Sequence, residues 1–297
     1  MEKINLTKYR LNHLIKYKLS KNVIATEGKI YYYPHKTNWT NEMKVLKMFY
    51  RDLTEDRVAN IEFLSEYKKE LESISSLVLP DALVSYYGKD RGIIMPYVEN
   101  TNLADFLMFD DVDQTVKLRH LKEVGKILEE ISLLRKYNSD LKDFAIGDLH
   151  EANTIIESST NRIKFVDIDS AYTGSYISAS KYLTLNINLE SLSNKYPMNE
   201  DESIIPNEQT DLYCYHMMIL NYMYRDNIAD LPIDEFYYYL EYLKKIGMNK
   251  NFLESCSRLY TSQENINPKD YLDNIGVNVS RASRKIYEKC KDKIMNI

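Results

Sequence analysis

The sequence has few cysteines and no long apolar run. Its three cysteines, Cys214, Cys256 and Cys290, are far apart and form no Cys-x-x-Cys pair. This argues against a structural zinc site or a disulfide framework and fits a reducing compartment. No segment approaches the length that spans a membrane, and the N-terminal segment lacks the apolar stretch of a signal peptide. We therefore expect a cytoplasmic protein with no membrane partner.

Glycine and excess charge are also scarce. The chain contains eight glycines, and none of them forms a Gly-x-Gly-x-x-Gly motif. The formal net charge is only −5, which argues against a surface built to hold nucleic acid. A chain of 297 residues is long enough for one domain with two lobes or for two domains of ordinary size.

Apolar periodicity predicts a β-rich first part and a helical second part. The predicted strands are 22–26, 29–34, 43–49, 82–87 and 93–98. The predicted helices are 54–75, 102–107, 111–136 and most of the chain after 211. Residues 174–210 show little periodicity and are predicted to be irregular.

A group of polar residues lies in the stretch FAIGDLHEANTII. Asp148, His150 and Asn153 fall within six positions of one another. One interpretation is a helix start, with Asp148 as the cap and Glu151 completing a capping box. However, the β-branched residues on either side favour a loop between two short strands. Loops held by a fixed scaffold often carry chemistry.

A second polar pair follows in the stretch FVDIDSA. Asp167 and Asp169 alternate with apolar residues, as they would on a solvated edge strand. The alternative is a hard cation: Asn153 and Asp167 offer the oxygen ligands of magnesium, which takes one or two protein groups plus phosphates. Asp169 is either a further metal contact or a solvated side chain.

The order Asp148-x-x-x-x-Asn153, a short strand pair and Asp167 resembles the catalytic loop and metal-binding aspartate of the protein-kinase-like superfamily. The form GDLHEAN is most similar to aminoglycoside and choline kinases and to atypical bacterial kinases. The resemblance implies an α+β, two-lobed fold, with a small β-rich N-lobe (1–98) containing one main helix and a larger, mostly helical C-lobe (99–297). It also implies ATP and Mg²⁺ as cofactors.

The resemblance extends to the nucleotide site. The stretch KVLKMF resembles the strand whose lysine, here Lys47, contacts the nucleotide phosphates. Its carboxylate partner would be Glu62 or Glu66 on the following helix, and Glu62 is preferred. Gly28 is the one glycine of the hairpin that would cover the phosphates.

The stretch IIMPYVEN resembles the hinge between the lobes. Met95 would be the gatekeeper, and the Pro96 carbonyl and Val98 backbone groups would meet adenine. Asp211, in QTDLYCYHMMIL, resembles the buried aspartate that braces the catalytic loop. Gly147, by contrast, stands where regulated protein kinases carry arginine.

The resemblance implies transfer of phosphate from ATP to an acceptor hydroxyl. Asp148 would orient the hydroxyl and accept its proton, and His150 would contact phosphate or hold the loop. The acceptor is expected to be a protein serine or threonine. A small-molecule acceptor stays open because GDLHEAN and the missing Ala-Pro-Glu motif resemble small-molecule kinases. A nucleotide-binding module without transfer stays open because the glycine-rich loop is missing.

Overall fold

The chain folds into a lobe built on one sheet and a lobe built mainly of helices, which confirms the predicted two-lobed α+β architecture. The computed structural model describes residues 1–15, 27–33, 43–174, 192, 194–200, 204–266 and 277–295. The strands are β1 (Glu2–Leu6), β2 (Gly28–Tyr33), β3 (Lys44–Phe49), β4 (Ala82–Tyr86), β5 (Lys89–Pro96), β6 (Asn100–Asn102), β7 (Thr154–Glu157) and β8 (Ile163–Phe165). The α-helices are α1 (Lys8–Leu14), α2 (Glu55–Glu66), α3 (Lys68–Leu71), α4 (Leu103–Met108), α5 (Gln114–Tyr137), α6 (Glu208–Tyr224), α7 (Ile233–Lys245), α8 (Lys250–Thr261), α9 (Val279–Ala282) and α10 (Arg284–Met295).

The sheet lobe contains a five-stranded sheet in the order β1-β4-β5-β3-β2. β1 runs parallel to β4, whereas the other neighbouring strands are antiparallel. β1 and α1 were not predicted, and the strand predicted at 22–26 lies outside the described residues. The predicted lobe boundary between residues 98 and 99 falls between β5 and β6 and stays a prediction.

Alternate residues of β3 face two different cores. Leu46 is buried with Leu14 of α1 on one side of the sheet, and Phe49 is buried with Ile61 of α2 on the other. Because side chains alternate along a strand, Lys47 lies on the same side as Phe49. The lysine is therefore directed toward the face that α2 covers.

The helix predicted over 54–75 is divided into α2 and the short α3. The Thr54 hydroxyl caps α2 by accepting from the Arg57 N–H at 3.3 Å. At Tyr67 the backbone leaves the helical region, with φ −93° and ψ 20°, and α2 ends. After α3 the chain continues to the helical lobe.

This segment after α3 is bonded to β8. The Phe165 N–H donates to the Ser76 carbonyl at 2.7 Å, and the Val78 N–H donates to the Phe165 carbonyl at 3.0 Å. Lys164 also donates to the Ser75 carbonyl at 2.7 Å. These bonds hold the end of β8, and the residues that follow it, against the sheet lobe.

The helix α6 occupies the centre of the helical lobe. Every residue in 209–220 is buried, which is typical of a helix surrounded by others. Asn207 caps it by accepting from the Gln209 and Thr210 N–H groups, and Thr210 completes a capping box. Asp211 therefore lies in the first turn of α6. Within the described ranges, no helix has both the length and the apolar character needed to cross a membrane.

Candidate active site

A buried carboxylate holds the loop that leads to Asp148. Asp211 is 1% exposed, and its two oxygens accept from the N–H groups of Ile146 and Gly147, each at 3.0 Å. Arg135 of α5 donates to the same carboxylate at 3.1 Å. Burial raises the pKa of Asp211, although Arg135 and the two N–H groups act to lower it. The backbone before Asp148 is thereby fixed to α6.

The backbone conformation at Gly147 favours glycine at the position before Asp148. Its φ is +74°, a left-handed conformation that glycine adopts freely and that other residues adopt at a cost. This conformation directs the Gly147 N–H at Asp211. An arginine at this position would strain the backbone that presents Asp148.

Asp148, His150 and Asn153 meet within the loop. The Asn153 amide nitrogen donates to the Asp148 carbonyl at 3.0 Å and to Oδ2 of its carboxylate at 3.1 Å. His150 Nε2 lies 3.6 Å from the same Oδ2, and its Nδ1 accepts from the Ala152 N–H at 3.1 Å. The Asp148 side chain remains 26% exposed to solvent.

Asp167 lies beside this loop in a strained conformation. The Val166 N–H donates to the Asn153 carbonyl at 3.0 Å, which brings the metal-ligand candidates Asn153 and Asp167 together. Asp167 has φ +59°, and such strain, about 1–3 kcal/mol, often marks functional sites. Its side chain is 37% exposed. Burial raises the pKa of Asp167, Lys47 lowers it and Asp169 raises it again, leaving it above the usual value.

Asn153 and Asp167 form a donor set that fits magnesium. The amide nitrogen of Asn153 donates to Asp148. The Oδ1 atom of Asn153 accepts from no donor among the described residues. Carboxylate and amide oxygens are the ligands that this ion prefers. The described part of the chain contains no group of three or more His, Cys, Asp or Glu side chains that could hold a metal. An ion here would complete its coordination with water molecules or phosphate oxygens.

Lys47 is paired with two aspartates and not with a glutamate of α2. It is 2% exposed, and its Nζ lies 3.1 Å from Asp167 Oδ1 and 3.2 Å from Asp169 Oδ1. Burial lowers the pKa of Lys47, but the two carboxylates raise it above its usual value. The expected partners, Glu62 and Glu66, are exposed.

The rotation of α2 is the reason for this difference. Asn60 and Ile61 are fully buried, so they define the inner face of the helix. Glu62 lies about 200° around the helix from Asn60. It lines a cavity of ≈ 370 Å³ on the outer side, between α2 and the β4–β5 turn, together with Val58 and Lys89.

The predicted hinge continues directly from β5. Met95 is 6% exposed and contributes to the core between β3, β5 and α2. Pro96 is exposed and Val98 is half-buried. The Tyr97 N–H donates to the Met43 carbonyl at 2.9 Å. The Val98 N–H has no hydrogen-bond acceptor among the described residues. The Val98 backbone donor is therefore open to a ligand.

Gly28 has a packing role in the sheet. It begins β2 opposite Phe49, and a Cβ added there would lie 2.4 Å from the Met48 carbonyl oxygen. Glycine is thus required because β2 and β3 approach closely. The expected role of Gly28 in covering phosphate stays a prediction, since residues 16–26 lie outside the described part.

No protein-family model matches the chain, and no curated protein matches it. Among solved structures, the chain is similar to the kinase domain of PknI from Mycobacterium tuberculosis, crystallised as a double mutant. The two are 14% identical, the match covers 93% of each chain, and the TM-score is 0.47.

Two residues of α2 reach the site although the sequence interpretation omitted them. Arg57 donates to Asp169 Oδ2 at 2.7 Å, and the Asn60 amide donates to the Asp169 carbonyl at 3.1 Å. Both lie on the buried face of α2 with Ile61 and Leu64. The spacing 57, 60, 61, 64 is the pattern of one helical face, and it was the signal available in the sequence.

Proposed function

We propose that the protein is an ATP-dependent phosphotransferase that moves the γ-phosphate of ATP to an acceptor hydroxyl. The observation that carries the proposal is the 3.1 Å contact between Lys47 of β3 and Asp167 after β8. A cation of one lobe and a metal-ligand candidate of the other meet next to the Asp148 loop. Phosphoryl transfer needs this combination, because catalysis consists mainly of positioning and charge neutralisation.

Each residue has a role that follows from its contacts. Asp148 orients the acceptor hydroxyl and takes its proton, because its carboxylate is exposed and held by Asn153. Asn153 and Asp167 would hold magnesium, which would neutralise phosphate charge when bound. Lys47 binds the phosphates, and His150 holds the loop through the Ala152 N–H. The acceptor oxygen bonds to the γ-phosphorus as the bond to the bridging oxygen breaks, and ADP leaves.

Adenine would lie against the segment from Pro96 to Val98. The Pro96 carbonyl can accept a hydrogen bond from the adenine amino group. Proline has no backbone N–H, but this contact requires only the carbonyl. The open Val98 N–H can donate to a ring nitrogen. The β3–β5 register pairs Lys44 with Pro96 and Lys47 with Ile93. Lys47 thus lies three residues along β3 from the adenine segment, and we propose that the triphosphate extends toward it.

The acceptor we propose is a serine or threonine hydroxyl of a protein. Its support is the fixing of the Asp148 loop by Asp211 of α6, an arrangement that resembles protein kinases. Labelled ATP incubated with a cell lysate, followed by separation of protein from small molecules, tests this choice. Label in the protein fraction is expected, and label only in small molecules would assign the alternative acceptor.

The enzyme proposal is tested by Asp148→Asn. This variant retains size and polarity but loses the carboxylate base, so turnover should fall by about a hundredfold or more. MgATP affinity, measured by calorimetry, should persist, whereas Asp167→Ala should weaken magnesium-dependent binding. Asp143→Asn, at an exposed position nearby, is the matched control.

One result would favour a nucleotide-binding module over an enzyme. In that case the unmodified protein would bind MgATP but show neither transfer nor hydrolysis, and Asp148→Asn would change nothing. Failure of the unmodified protein to bind MgATP at all would contradict both readings of the site.

A further inference from the structure

We propose that Asp169, held by Arg57 of α2, positions Lys47 for the nucleotide phosphates. The helix α2 thus contributes a cation to this site, whereas the sequence predicted a carboxylate, Glu62 or Glu66. This inference rests on the proposed phosphotransfer function and assigns a positioning pair to it. Neither residue is required to touch the nucleotide.

The two aspartates beside Lys47 differ in their access to solvent. The Asp167 side chain is 37% exposed, whereas that of Asp169 is 1% exposed. An exposed carboxylate can turn to a metal ion and phosphates, but a buried one whose oxygens are already bonded cannot. Asp169 therefore stays bonded to Lys47 when a nucleotide binds, whereas Asp167 would also contact a bound metal ion.

Arg57 bonds the same Asp169 carboxylate that Lys47 contacts. Its NH2 group donates to Asp169 Oδ2 at 2.7 Å and to Glu27 at 2.8 Å, and Lys47 donates to the same Oδ2 at 3.3 Å. The Arg57 guanidinium lies 4.5 Å from the centre of the Phe49 ring, and Lys47 Nζ lies 5.0 Å from the same ring. Both cations thus share one carboxylate and lie near one aromatic ring.

The backbone of Asp169 is anchored to α2 as well. Asn60 donates to the Asp169 carbonyl at 3.1 Å and accepts from the Thr173 hydroxyl at 2.6 Å. Because Asn60 is fully buried, these bonds hold the segment from Asp169 to Thr173 against α2. The position of the carboxylate therefore follows α2, although Asp169 belongs to the chain after β8.

The chemical benefit is orientation. A lysine ammonium has three N–H donors on a flexible stem. Asp169 holds the ammonium in one place and leaves donors for phosphate oxygens once Asp167 turns toward a metal. Such pre-organisation lowers the entropy lost on binding. The geometry also explains why Glu62 is not needed, since it faces the outer cavity of α2.

A double-mutant cycle tests whether Asp169 acts through Lys47. Calorimetry measures the MgATP dissociation constant of the unmodified protein, Lys47→Met, Asp169→Asn and the double variant. Asp169→Asn should raise the constant on the order of tenfold, the effect of losing one charge-assisted hydrogen bond. In the Lys47→Met background the same change should have almost no further effect. A purely structural role would give additive effects.

If circular dichroism shows that Asp169→Asn does not fold, Arg57→Met replaces it in the double-mutant cycle. It should also weaken MgATP binding in a manner that depends on Lys47, and Arg57→Lys should recover part of the affinity. Glu62→Gln is the rival variant and should leave the affinity unchanged.

The outcomes separate the inference from the function on which it rests. Additive effects of Asp169→Asn and Lys47→Met, or an effect of Glu62→Gln as large as that of Asp169→Asn, would overturn the inference and leave phosphotransfer standing. Absence of MgATP binding by the unmodified protein would overturn both.

Discussion

Asp169 and Asp211 are equally buried, at 1% exposure each, yet the protein neutralises them in opposite ways. Asp169 lies between two side-chain cations, Lys47 and Arg57. Asp211 is bonded mainly to backbone N–H groups and to one arginine, Arg135. The two sites show that a buried carboxylate can either orient other charges or fix a loop.

The pKa values of the two groups differ accordingly. Burial raises the pKa of both carboxyls, but Lys47 and Arg57 bring that of Asp169 below its usual value. For Asp211, burial prevails over Arg135 and the two N–H groups, and its pKa is raised. Charge partners thus outweigh burial at Asp169 but not at Asp211, beneath the Asp148 loop.

The largest effect is expected from Asp211→Ala. Removing this carboxylate leaves the buried N–H groups of Ile146 and Gly147 unbonded, and Arg135 retains only Glu208 at 3.7 Å and the Phe144 carbonyl. The free energy of unfolding should fall by about 3–5 kcal/mol, because each unsatisfied buried donor costs about 1–3 kcal/mol; urea denaturation followed by circular dichroism measures it. Asp143→Ala, at an exposed position, should change it by less than about 0.5 kcal/mol. If Asp211→Ala lowered the free energy of unfolding by no more than this control variant does, the anchoring of the Asp148 loop by Asp211 would be contradicted.

A smaller loss of stability is expected from Asp169→Asn. Lys47 keeps Asp167 at 3.1 Å and Arg57 keeps Glu27 at 2.8 Å, so neither cation is left unpaired. The free energy of unfolding should fall by about 1.5–3 kcal/mol, the range for hydrogen bonds to charged groups. The same denaturation experiment measures it. A loss equal to that of Asp211→Ala would remove the distinction between the two sites.

The smallest effect is a difference in pH dependence. Asp169 has a lowered pKa, so its contribution to stability is present above the unfolded value of 3.8 and is lost as the pH falls through the folded pKa. Asp211 has a raised pKa, so its contribution increases as the pH falls toward 3.8. Asp169→Asn should flatten the acid loss of stability, and Asp211→Asn should steepen it.

Unfolding free energies measured between neutral pH and pH 3 would show this difference. His216 titrates in the same interval, because burial lowers its pKa to about 4, and it stacks on Phe252 with ring centres 5.3 Å apart. The comparison is therefore sharpest in a His216→Phe background. Changes of the same sign in both aspartate variants would be incompatible with opposite pKa shifts.

Local spacing allowed the catalytic-loop region to be interpreted from the sequence. Asp148 and Asn153 are five positions apart, so one loop conformation brings them together. The short strands β7 and β8 then carry the chain directly to Asp167. Contacts of this kind depend on backbone structure that nearby residues determine. The two-lobed fold, by contrast, was predicted from the order of several motifs that resemble the protein-kinase-like superfamily.

The partner of Lys47 depends on packing that no local pattern encodes. Lys47 and Asp169 are 122 positions apart, and their contact requires α2 to turn Arg57 inward and Glu62 outward. The parallel pairing of β1 with β4 is similar, since it joins Glu2 to Ala82. A strand with few residues and a distant partner gives little signal in its own sequence.

The bonds between Phe165 and the segment after α3 have a mechanical consequence. In the described part of the chain, the backbone joins the lobes through the segment between Tyr97 and Asn100 and through the Ser76–Phe165–Val78 bonds. These two connections define an axis. Rotation about this axis can widen the cleft while both connections remain intact, whereas translation of one lobe along the other would break the backbone bonds of Phe165. The same rotation would have to break the side-chain bonds from Lys47, Arg57 and Asn60 to Asp169.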